Sequence, residues 1–66
     1  MEIIKNAILI INEDTDNAII SNIKQNYLQK GVSIVYETIM DCNYDYGSIS
    51  AEIFLNSYNA DFFLFI

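Results

Sequence analysis

The chain has 66 residues, with three lysines, no arginine, no histidine and nine acidic residues, for a formal net charge of −6. With so few cations, neither phosphate neutralisation nor bidentate base reading has residues to work with, which argues against nucleic acid and anionic membranes as partners. A hydrophobic content of 53% and a mean hydropathy of +0.24 exclude disorder, and the length leaves room for one domain that buries only about 60% of its unfolded surface.

The first predicted element is a strand. Ile3-Ile4 and then Ala7-Ile8-Leu9-Ile10-Ile11 form a β-branched run without alternation, which suits a strand covered on both faces, as in a parallel sheet. At five residues the apolar stretch Ala7–Ile11 is far too short to span a bilayer. Met1-Glu2-Ile3-Ile4-Lys5 also lacks the basic segment of a secretory leader. The expected location is therefore cytoplasmic, without a membrane partner.

The polar turn Asn12-Glu13-Asp14-Thr15-Asp16-Asn17 ends that strand. Asp14, Thr15 or Asp16 can cap a helix there, and acids suit its positive N-terminal end. From Asn17 to Lys30 the apolar positions Ile19, Ile20, Ile23, Tyr27 and Leu28 fall at helical spacing, opposite Asn22, Lys24, Gln25, Asn26 and Gln29. Gly31 supplies the left-handed residue that stops the helix.

Val32-Ser33-Ile34-Val35-Tyr36 predicts a second short strand, followed by a long polar and aromatic loop from Glu37 to Gly47. Connections in α/β units are usually about 2–6 residues, and longer ones are often functional. Ser48 or Ser50 can cap a second helix, with Ile49, Ile53, Phe54 and Tyr58 on its apolar face, widened by Ala51 and Leu55, and with its end at Asn59. Residues 61–66, Asp-Phe-Phe-Leu-Phe-Ile, predict a third strand. The four phenylalanines, at 54, 62, 63 and 65, read as core.

The order β-α-β-α-β with right-handed crossovers gives a three-stranded parallel sheet of order 2-1-3, the first half of a flavodoxin-like α/β domain. The apolar third strand, without a polar cap or return element, predicts that residues 1–66 form a single incomplete domain. Its unpaired edge would invite a protein partner or a second copy through residues 61–66.

Ligands in such sheets gather at the carboxyl ends of the strands. The candidate contact residues are therefore Asn12, Glu13, Asp14 and Asp16 after the first strand, and Tyr44, Tyr46, Gly47 and Ser48 after the second. The acidic turn could hold Mg²⁺ through oxygen ligands; helix capping with dipole compensation explains the same residues, and no metal is assigned. Tyr44 and Tyr46 could stack on a ligand ring or anchor a partner, or simply cover the end of the sheet. No Gly-x-Gly-x-x-Gly or P-loop follows the first strand, and without histidine there is no Ser-His or Cys-His nucleophile. The single cysteine, Cys42, excludes an internal disulfide, has no base beside it, and is expected as a partly buried inert thiol. No catalytic residue and no cofactor is expected for the chain alone.

Three families resemble this pattern. Ile11-Asn12-Glu13-Asp14 resembles the polar turn after the first strand of bacterial TIR domains. Gly31-Val32 is similar to their glycine before the second strand, and Gly47-Ser48-Ile49 resembles their Gly-(x)-Ser-Ile, here without the spacer. Asn56-Ser57 and Ala60–Ile66 look like their helix end and third strand. The resemblance implies assembly through TIR–TIR contacts, with Glu37–Ser48 as the contact loop. It implies no NAD cleavage by this chain alone, because the family's catalytic glutamate lies on a helix after the third strand.

Glu13-Asp14 also resembles the acidic pair of receiver domains, although Ile66 falls near the place of their phosphoacceptor aspartate, so phosphorylation is not implied. Ile8–Asn12 and Tyr58–Asp61 look like parts of cobalamin-binding domains, without the ligating histidine motif. The function expected is a non-catalytic interaction module. The alternative is half of a ligand-binding or enzyme domain completed by another chain or a further segment.

Overall fold

The computed structural model describes residues 3–66; the part of the leader reading that concerns Met1 and Glu2 lies outside them. In chain order the elements are β1 (Lys5–Ile11), α1 (Asn17–Gln29), β2 (Val32–Ile39), α2 (Ile49–Ser57) and β3 (Phe62–Phe65). The strands form one parallel sheet in the order β2-β1-β3, the α/β arrangement of a flavodoxin-like half-domain.

The unbroken apolar run explains why β1 takes the centre. Ala7, Ile8, Leu9 and Ile10 are fully buried and Ile11 nearly so. Ile8 and Ile10 pack with Ala60, Tyr46, Phe54, Leu55 and Phe63 on the α2 side. By strand alternation, Ala7, Leu9 and Ile11 turn to the opposite face. Burying a large aliphatic side chain contributes about 1.5–3 kcal/mol, so Ile8, Leu9 and Ile10 dominate the core.

A register shift decides what β2 presents. Ala7 pairs with Ile34 but Ile8 pairs with Tyr36, so Val35 is an extra residue in the ladder. Paired residues in neighbouring strands share a face. The bulge therefore puts Ile34 on the side of Ala7, and Tyr36 and Thr38 on the side of Ile8 and Ile10. Glu37 falls beside Leu9 and forms an ion pair with Lys24 of α1, fastening that helix to β2.

The helix ends follow local chemistry. Gly31 adopts φ 85° after the cap residue Lys30, and its carbonyl accepts the N–H groups of Ile4 and Lys5 at 2.8 and 3.1 Å. At the end of α2, Asn59 adopts φ 55°. Ala60 N–H donates to Leu55 O and Asn59 N–H to Asn56 O, a Schellman motif whose apolar contact joins Ala60 to Leu55. The amino end of β3 is clasped to β1: Asp61 N–H donates to Asn6 O at 2.7 Å, and Asp61 Oδ2 accepts Asn6 N–H at 2.8 Å.

Several expectations are corrected. Ile3 and Ile4 precede β1 and are exposed, since only Lys5 onward enters the ladder. β2 runs to Ile39 rather than Tyr36, because Glu37 and Ile39 stay in register with Leu9 and Ile11, and the following loop shortens to Met40–Ser48. On α2 the inward stripe is Ala51, Phe54 and Leu55; Ile49 and Ile53 are 78% and 64% exposed. That helix is apolar on both sides; the side carrying Phe54 and Leu55 packs against Ile8 and Ile10, and Ala51 is buried. On α1, Ile19 and Leu28 flank the inward stripe and stay half-exposed. Phe65 is half-exposed at the sheet edge, and Cys42 is an exposed loop residue rather than a partly buried thiol.

Candidate functional site

Both long turns at the carboxyl edge of the sheet are built from side chains that close on their own backbone. After β1, Asn12 Oδ1 accepts the Asp14 N–H at 3.1 Å and Asn12 O accepts the Thr15 N–H at 2.9 Å. Asp16, with extended backbone, is the N-cap of α1 and accepts the Ala18 N–H at 3.1 Å. Of the three residues able to cap this helix, Asp16 does so. Glu13 and Asp14 are exposed. Among the described residues no group of three or more histidine, cysteine, aspartate or glutamate side chains gathers as a metal cluster.

The loop after β2 consists of two turns in series, each opened by an aspartate. Asp41 Oδ1 accepts the Asn43 N–H and Asp41 O accepts the Tyr44 N–H, at 2.9 and 3.1 Å. Asp45 repeats this four residues on: Oδ1 accepts the Gly47 N–H and its carbonyl the Ser48 N–H, at 2.9 and 3.2 Å. Aspartate favours such turns because its short side chain reaches the backbone two residues ahead. Ser48 then caps α2, its Oγ accepting the Ala51 N–H at 3.1 Å and donating to Asp45 O at 2.7 Å.

These turns place Tyr44 and Tyr46 against the sheet. The Tyr46 hydroxyl accepts the Asp41 N–H at 2.9 Å. Its ring stands edge-to-face with Phe63 and Phe65 of β3, at centroid separations of 5.2 and 5.3 Å, and with Tyr44 at 4.9 Å. On the β2 side, Tyr36 stacks on Tyr58 at 4.6 Å and meets Phe54 edge-on at 5.9 Å. Between the two aromatic groups lies an open cleft of about 330 Å³, lined by Tyr36, Thr38, Ile39, Asp41, Tyr44, Tyr46 and Phe54.

Of the residues singled out in the sequence, Tyr44 and Tyr46 line this cleft. Gly47 and Ser48 stand behind it as turn and cap. Asn12, Glu13, Asp14 and Asp16 form the separate turn after β1 and are not among its lining residues. Thr38, Ile39 and Asp41 fall within the long stretch Glu37–Ser48 that the sequence singled out, whereas Tyr36 and Phe54 were missed as lining residues. The period-two pattern Tyr36/Thr38 was a usable signal for a longer β2; the bulge at Val35, which turns that pair toward α2, left none.

Most acidic side chains gather at one edge of the sheet, with Asp61 at the other beside Asn6. Glu13, Asp14 and Asp16 follow β1, Asp41 and Asp45 follow β2, and Glu52 lies in the first turn of α2, all at the carboxyl edge. Lys5 and Lys30 lie at the opposite edge, where Gly31 meets β1, and Lys24 is paired with Glu37. No helix among the described residues is long and apolar enough to cross a membrane. No protein-family model, curated protein or solved structure matches the chain.

Proposed function

We propose that the chain is a non-catalytic interaction module, TIR-like in the sense that copies of one α/β unit assemble, and that it assembles through the outer edge of β3. One observation carries this reading. Ile66 N–H donates to Ile10 O, and Ile66 O accepts the Asn12 N–H, so residue 66 turns both backbone groups toward β1. By alternation along the strand, Phe63 and Phe65 turn theirs the other way, where the described residues offer no strand. The half-exposed Phe65 side chain adds apolar surface at the same edge. Unpaired backbone groups beside apolar side chains are what β-augmentation uses.

The partner is protein rather than nucleic acid or membrane, in keeping with the net charge of −6. A second copy is the simplest occupant: a two-fold axis beside β3 would pair the two edges antiparallel into a six-stranded sheet. A cytoplasmic setting and a bacterial TIR-like relationship belong to the same proposal. They rest on the lone cysteine and on Ile11-Asn12-Glu13-Asp14 and Gly47-Ser48-Ile49.

Hydrogen exchange tests the reading. The Phe63 and Phe65 amides are expected to gain protection as protein concentration rises, in step with each other. Fast, concentration-independent exchange at both positions would overturn it. A second reading, half of a ligand-binding domain, is favoured by the cleft between Tyr36 and Tyr44.

A further inference from the structure

We infer that the cleft at the carboxyl end of β2 is a binding site for a small organic cation of the quaternary ammonium class. The inference deepens the ligand-binding reading and does not depend on assembly through β3. A chain that stays monomeric and still takes up the cation would leave the inference standing.

Three features converge on this ligand class. The first is the aromatic lining. Tyr36, Tyr44, Tyr46 and Phe54 contribute four rings, held as two edge-to-face pairs, Tyr36 with Phe54 and Tyr44 with Tyr46. Ring faces carry negative quadrupole density, and cages of several rings are how proteins recognise alkylated ammonium groups. The second is the carboxylate of Asp41, which also lines the cleft. Its Oδ1 is engaged by the Asn43 N–H, and its Oδ2 has no hydrogen-bond partner among the described residues. The third is the field around the cleft. No lysine lines the cleft, while Asp41 and Asp45 lie in the loop that leads into α2 and Glu52 in its first turn. A phosphate or carboxylate ligand would meet only like charge there, whereas a cation is drawn in.

The scaffold is suited to hold the rings in place. Tyr46 is fixed at its hydroxyl by the Asp41 N–H and at its ring by Phe63 and Phe65, and Tyr36 is backed by Tyr58. Two aspartate-opened turns set the loop from Asp41 to Ser48, so the walls are formed before any ligand arrives. A cleft of about 330 Å³ is at the small end of ligand sites, which run from about 300 to 1,000 Å³. That size fits a trimethylammonium head with a short substituent rather than a dinucleotide.

Choline and its neutral isostere 3,3-dimethylbutan-1-ol are the probes, titrated into the isotopically labelled chain and followed by amide chemical shifts. Choline is expected to give saturable shifts confined to Tyr36, Thr38, Asp41, Tyr44 and Tyr46 and their neighbours, and the isostere to bind more weakly by about tenfold at least. Asp41→Asn keeps the Oδ1 acceptor for the Asn43 N–H, so the turn survives; it should weaken choline several-fold and leave the isostere unchanged. Tyr44→Leu should weaken choline with the far-UV spectrum preserved. Equal affinity for choline and the isostere would overturn the inference, as would shifts that never saturate or that fall outside the cleft.

Discussion

The Tyr46 hydroxyl accepts the Asp41 N–H at 2.9 Å, and through this bond the second turn of the loop holds the first. The same ring reaches Phe63 and Phe65, so one side chain joins the loop after β2 to the edge strand β3. Tyr46→Phe removes only the acceptor and should cost about 1 kcal/mol. Tyr46→Ala also removes the ring contacts and should cost about 3 kcal/mol. Urea unfolding of both variants checks the difference, and equal losses would show that the ring contributes little.

Gly31 stands at φ 85° between α1 and β2, where a Cβ is strained, and its carbonyl accepts the N–H groups of Ile4 and Lys5. Gly31→Ala should destabilise by about 1–2 kcal/mol. Asn59→Gly, at the other left-handed position, should change stability by no more than a few tenths of that. The two denaturation midpoints, measured side by side, separate backbone strain from a general intolerance of change at helix ends.

The acidic turn divides into one capping residue and two exposed ones. Asp16→Ala should cost about 1 kcal/mol by removing the acceptor for the Ala18 N–H. Ser48→Ala should cost a similar amount at α2, about 1 kcal/mol. Glu13→Ala and Asp14→Ala should each stay within about 0.5 kcal/mol. Calorimetric titration with Mg²⁺ is the companion measurement; tight uptake abolished by Glu13→Ala would show that the turn is a metal site rather than a cap.

Ile49 and Ile53 are exposed, while Ala51 on the same helix is 1% exposed. The double change Ile49→Gln and Ile53→Gln should therefore leave monomer stability within about 0.5 kcal/mol. Ala51→Leu should cost about 1–3 kcal/mol by overpacking. The reverse ranking in thermal melts would mean that the helix is turned by half a revolution.

The sequence made the architecture legible where one signal dominated. The β-branched run at Ala7–Ile11 required a strand covered on both faces, and Gly31 marked the end of α1 through its conformational freedom. Legibility failed where two local patterns competed. In α2, Ile49/Ile53 and Ala51/Phe54/Leu55 are both apolar stripes, and only the tertiary contact of Phe54 and Leu55 with Ile8 and Ile10 selects between them. In β2, the single extra residue Val35 reverses which side chains face α2, and nothing in the composition of Val32–Ile39 announces it. The cleft was half legible for the same reason. Tyr44 and Tyr46 stood out in a polar loop, whereas Tyr36 and Phe54 looked like ordinary core positions until the bulge and the helix rotation brought them to its wall.

Assembly through the β3 edge is tested most directly by the mass of the purified chain in solution, measured by light scattering behind size exclusion, beside that of Phe65→Lys. A lysine on an edge strand blunts pairing, and because Phe65 is half-exposed beside Ile10 the change gives up its ring contact with Tyr46 while the fully buried side chains of β1 stay in place. The account predicts a folded species of at least twice 7.6 kDa for the chain and a folded 7.6 kDa monomer for the variant. A folded monomer of the unaltered chain across the concentration range, or a variant that associates as before, would contradict it.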